Sequence, residues 1–119
     1  MIAFLRAALA AAALFASTSA FAQYPEKAVR IIVPYAAGGT SDFVARLTAL
    51  KLQDETGKAF VVENKAGAAG RIGYGTVAKA TGDGYTLVAS DTSYAMIAGL
   101  FSKLDWKHDT DLIPITTTA

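Results

Sequence analysis

The chain has 119 residues, 53% of them hydrophobic, with 11 Lys+Arg against 10 Asp+Glu and no cysteine. A near-neutral charge with no basic run argues against nucleic-acid binding through phosphate contacts. The missing cysteines exclude disulfides, thiol chemistry and Cys-ligated metal. Met1 to Ala22 has the layout of a secretory leader: Arg6 in a short start, an alanine-rich apolar core from Ala7 to Ala16, and Ala20-Phe21-Ala22 as a small-x-small cleavage site before Gln23. That core falls short of the roughly 20 apolar residues a spanning helix needs. The organisation expected is therefore a leader over 1–22, removed on export, and one domain over 23–119.

Val29 to Val33 is almost continuously apolar and β-branched, the pattern of a strand buried on both faces of a parallel sheet. Pro34 ends it. A helix is predicted from Thr40 or Ser41, either of which can cap it, with Asp42 in its first turn. Phe43, Leu47 and Leu50 form its apolar stripe, and Gly57 stops it. A second strand is predicted over Ala59–Glu63, then a small-residue loop from Asn64 to Gly70 and a short helix to about Ala80. Thr81 to Gly84 is a turn. A third strand spans Tyr85–Ala89, a polar loop Ser90–Ser93, a helix Tyr94–Phe101, and a fourth extended piece Leu112–Thr117. This β-α alternation predicts an α/β fold with an open parallel sheet and flanking helices.

Three loops at the C-terminal ends of strands carry the candidate chemistry, the usual place for a ligand in an open α/β sheet. The first, Tyr35 to Asp42, holds Gly38-Gly39-Thr40-Ser41 at a helix start. No lysine follows, so it is no Walker phosphate loop. It reads either as a turn with a helix cap or as a backbone cradle for a carboxylate. In the second, Gly67-Ala68-Ala69-Gly70 brings backbone close to a ligand or to neighbouring chain. Gly73 to Ala78 matches G-x-G-x-x-A, but it does not open directly off a strand, as a dinucleotide fingerprint must. The third, Ser90-Asp91-Thr92-Ser93, offers hydroxyls and a carboxylate for capping or for a ligand. His108 is the single histidine, with no G-x-S-x-G elbow to serve, and reads as a surface residue. Asp105, Asp109 and Asp111 lack the glycine and glutamate of a calcium loop. Trp106 reads as a core or interlobe anchor. No metal or cofactor is expected. A small secreted α/β hydrolase or nucleotide-binding enzyme is the alternative class.

Four phrases in order carry a resemblance: "YPEKAVRIIVPYAAGGTSDFVARL" at 24–47, "VVENKAGAAGRIG" at 61–73, "VAKATGDGYTLV" at 77–88 and "LFSKLDWKHDTDLIPIT" at 100–116. With them the chain resembles the Bug-type (TctC-like) periplasmic solute-binding proteins of tripartite tricarboxylate transporters. It departs from them at Ile97-Ala98-Gly99, where family members often carry Asn-Pro. The resemblance implies the first lobe of a two-lobed Venus flytrap receptor, truncated before its second lobe, and not an enzyme. It implies a small carboxylate ligand (a di- or tricarboxylate, an amino acid or an aromatic acid), membrane transporter subunits as partners, no nucleic acid, and a monomer when full length. Carried over from the family, the ligand-binding residues are Tyr35, Ala37, Gly38, Gly39, Thr40, Ser41 and Asp42 in the first loop. Ala68, Ala69 and Gly70 match the second loop, and Asp91, Thr92 and Ser93 the third.

Overall fold

The computed structural model of the chain describes residues 24–118; the expected leader lies outside them. Its centre is β1 (Val29–Val33), flanked by β2 (Phe60–Asn64) and β3 (Thr86–Val88) in a parallel sheet of order β2-β1-β3. Val29 stands opposite Phe60 and Val33 opposite Asn64, while Ile31 stands opposite Leu87. The central position explains the composition of β1. With a strand on each side and a helix layer on each face, Val29, Ile31, Ile32 and Val33 are all buried. Arg30 is the exception. It is exposed, and its guanidinium donates two hydrogen bonds of 2.8 Å to Glu63 on β2. The ladder runs past the strand ends, through Lys65 N–H to Val33 carbonyl at 2.8 Å and Ala89 N–H to Ile32 carbonyl at 2.9 Å.

The helices are α1 (Thr40–Thr56), α2 (Arg71–Ala78) and α3 (Tyr94–Leu100), with a short 3-10 turn at Ala68–Gly70 leading into α2. Alternation along the strands divides the interior in two. On one face Ile31, Val33, Phe60, Val62, Leu87 and Ala89 meet Ala45 and Ala49 of α1. On the other, Val88 packs with Tyr74, Ile97 and Trp106. Trp106 is thus a core residue.

Two expectations are corrected. Phe43, Leu47 and Leu50 do not face the sheet: they are 67%, 50% and 54% exposed, on the opposite side of α1 from Ala45 and Ala49. Small side chains let the helix lie close on the strands, so the bulky stripe points outward. The fourth strand does not form either. Residues 112–118 have no sheet pairing, and Ile113 and Ile115 are exposed.

Candidate functional site

Parallel strands all end on the same side, so the loops after β1, β2 and β3 meet there. Their meeting point is Tyr35. Its phenol lies 2.8 Å from Asp91 Oδ1 and 3.1 Å from the Tyr74 hydroxyl, and it also hydrogen-bonds the Ser93 hydroxyl. A phenol has one proton to donate. The ionised acceptor takes it, so Tyr35 donates to Asp91 and accepts from a neighbouring hydroxyl. Burial pushes the Tyr35 phenol above its ordinary pKa; the Ser93 bond opposes that rise, and Tyr74 and Asp91 add to it. Tyr35 is therefore a neutral donor across the physiological range.

Asp91 receives the Ser93 amide at 2.9 Å and the Ser41 hydroxyl at 3.3 Å as well. Partial burial pushes its carboxyl up, but hydrogen bonds from Ser93, Tyr35 and Ser41 outweigh that and hold it below the ordinary carboxylate value. First and third loops are thus tied through Tyr35, Ser41, Asp91 and Ser93.

The first loop is braced from below. Asp42 is buried, and its Oδ2 accepts the Gly38 amide at 2.9 Å and Arg46 Nε at 3.1 Å. Its Oδ1 accepts Asn64 Nδ2 at 3.0 Å, and Asn64 also donates to the Tyr35 carbonyl at 3.1 Å. These bonds fix the turn to the end of β2. The cap of α1 differs from the one expected. Gly39 is the N-cap, and Thr40 and Ser41 lie inside the first turn without a side-chain capping bond. The left-handed residue is Gly38, at φ 87°, whereas Gly39 is extended at φ −80°. The Gly38 amide is held by Asp42. The amides of Gly39, Thr40 and Ser41 have no acceptor among the described residues. Ala37, Thr40 and Thr92 are exposed and form no side-chain hydrogen bond there.

The second loop leans on Tyr74. A Cβ on Gly70 would come within 2.9 Å of the Tyr74 ring and 3.5 Å of the Pro34 side chain. Ala68 and Ala69 are both left-handed, at φ 47° and 53°, which costs a residue with a Cβ energy and recurs at ligand-holding turns. Tyr74 is the residue of the strand-end cluster that the sequence reading did not single out. Its hydroxyl joins Tyr35 and, at 3.0 Å, Ser90. The signal was the paired glycines around it. A Cβ on Gly73 would lie 2.6 Å from the Pro34 side chain, and one on Gly75 would lie 3.2 Å from Trp106. The G-x-G spacing therefore lets α2 pack closely against both and sets the Tyr74 phenol at the strand ends.

His108 is less free than a surface residue. Its ring stacks on Tyr94 at 4.4 Å, and Nε2 lies 2.9 Å from the Tyr94 carbonyl. Two open depressions, of about 380 and 400 Å³, lie beside Arg71 and Asp105; the second reaches Ala68 of the second loop, but neither is lined by the first or third loop. Their charges neutralise one another, since Asp105 pairs with Arg71 at 2.7 Å and with Lys79 at 2.6 Å. The strand-end cluster, with open amides and three converging loops, is the better candidate.

The profile described as "Tripartite tricarboxylate transporter family receptor" matches residues 44–119. Protein BugT of Bordetella pertussis is 41% identical over 95 residues, covering 78% of this chain and 29% of BugT. Among solved structures, MatC from Rhodopseudomonas palustris with bound malate is similar at a TM-score of 0.62 and 34% identity, over 74% of this chain and 30% of that one. Periplasmic binding protein BugD is similar at a TM-score of 0.52 and 49% identity, over 55% of this chain and 22% of that one. The chain spans less than a third of the length of each of these proteins.

Proposed function

Since the chain belongs to the tripartite tricarboxylate transporter receptor family, we propose that it builds the carboxylate-holding loops of an extracytoplasmic solute receptor working with membrane transporter subunits in the periplasm. The family is one of receptors rather than enzymes. The observation that carries the site assignment is the row of amides at Gly39, Thr40 and Ser41, open at the start of a 17-residue helix and facing no protein acceptor among the described residues. Such amides, with the helix dipole behind them, hold an anion without a neighbouring cation. A ligand carboxylate accepts from them, while the Ser41 hydroxyl donates to Asp91 and ties the first loop to the third. Tyr35, Tyr74, Asp91 and Ser93 shape the adjoining wall, and the Ala68–Gly70 turn brings backbone up from the second loop. Asp42 positions the first loop through Gly38 and does not itself touch ligand. The amides carry no formal charge, so releasing the carboxylate from them breaks no ion pair at that end of the ligand.

Titration calorimetry with small mono- and dicarboxylates tests this. The protein should show saturable binding. Ser41→Ala should weaken it by about 0.5–1.5 kcal/mol, because the hydroxyl's bond to Asp91 that ties the first and third loops is lost. Gly38→Val should weaken it further, because a β-branched residue resists the left-handed turn that aims the amides. Unchanged affinity in both variants would remove the first loop from the site.

A further inference from the structure

Asp91, like Glu26, Asp54, Glu55 and Asp111, forms no ion pair among the described residues, but of these it is the one tied to the first loop, through Tyr35 and Ser41. Asp42 pairs with Arg46, Glu63 with Arg30, Asp83 with Lys27, and Asp105 with Arg71 and Lys79. The bonds to Asp91 come from neutral donors: the Tyr35 phenol, the Ser41 hydroxyl and the Ser93 amide. These hold the carboxylate in place but leave its charge uncompensated. The position is also specific. Asp91 Oδ2 is 3.3 Å from the Ser41 hydroxyl, and Ser41 contributes one of the three open amides. An anion accepting from the Ser41 amide is therefore separated from a fixed negative charge by little more than the Ser41 side chain.

We propose that Asp91 selects ligands by charge at this site: it favours a single carboxylate carried with an ammonium group that faces Asp91, and it disfavours ligands with a second carboxylate. This rests on the reading of the strand-end loops as a carboxylate site. The physical argument is one of sign. At separations of a few ångströms a like charge on the ligand is repelled and an opposite one attracted, and the half-exposed setting reduces both effects without abolishing them. The open amides satisfy one carboxylate. A second one finds Asp91 with no cation beside it, whereas an ammonium finds its missing counter-ion there.

Three acids on a common three-carbon stem separate the possibilities: propionate, succinate with a second carboxylate, and β-alanine with an ammonium in its place. Calorimetric affinities for the protein should rank β-alanine above propionate and propionate above succinate. Asp91→Asn keeps an acceptor for Tyr35 and Ser93 while removing the charge. It should raise succinate affinity most and propionate affinity less, and lower β-alanine affinity relative to propionate by about tenfold. A second measurement needs no variant: raising salt should narrow the β-alanine to succinate ratio of the unaltered protein. If the acids bind and neither Asp91→Asn nor salt moves that ratio, the charge-selecting role is wrong while the carboxylate site stands. If none of the three binds either protein, the site reading fails and the role of Asp91 falls with it.

Discussion

Two aspartates flank the first loop, and their neighbours give them different parts. Asp42 stands four residues before Arg46 on one helix, so the pair meets across a turn, and with Gly38 and Asn64 it engages both carboxylate oxygens. Hydrogen bonds from Arg46, Gly38 and Asn64 hold its pKa at about 2, below the ordinary 3.8, against an opposing effect of burial. The folded state thus prefers the ionised form. The stabilisation is in full above pH 3.8 and drains as pH falls through about 2, where both states bind the proton. Acid unfolding followed by circular dichroism should therefore show a steep loss of stability in that window. Asp42→Asn should be less stable at neutral pH and flatter through the same window. An identical acid profile for the two proteins would show that Asp42 does not brace the loop.

Among the elements, α1 shows how an apolar pattern can be right in period and wrong in direction. Phe43, Leu47 and Leu50 recur at helical spacing, yet Ala45 and Ala49 occupy the buried face. The close approach of helix to sheet selects small side chains there, and hydrophobic size alone does not reveal it. Unfolding in denaturant distinguishes the faces. Ala49→Leu should destabilise the protein by about 1–3 kcal/mol through overpacking. Leu47→Lys should change stability by no more than about 0.5 kcal/mol, as for an exposed position. The reverse order of effects would place the outer stripe in the core.

Taken as a whole, the molecule is legible in sequence where a backbone requirement shapes composition. β1 declares itself because a central parallel strand has no polar face to show, and the loops declare themselves through glycines. Gly38 and Gly70 take left-handed conformations that follow from the turns they make. What stays hidden depends on contacts between distant segments. Tyr74 reaches the site because Gly73 and Gly75 clear space against Pro34 and Trp106, residues distant in sequence that the fold's crossovers bring into contact. That Asp91 forms no ion pair among the described residues likewise depends on where the fold places it relative to the lysines and arginines. Leu112–Thr117 reads as an extended piece, but a strand needs a partner edge, and residues 112–118 pair with none among the described residues.

The central claim is that the amides at the start of α1 hold a ligand carboxylate. The most direct measurement is an amide proton–nitrogen NMR titration of the protein with propionate, the simplest acid of the series. The account predicts saturable shifts at Gly39, Thr40 and Ser41, with smaller ones at Ala69, Gly70 and Ser93 on the facing loops. Shifts confined instead to Arg71, Lys103 and Asp105, around the depressions on the other part of the surface, would contradict it.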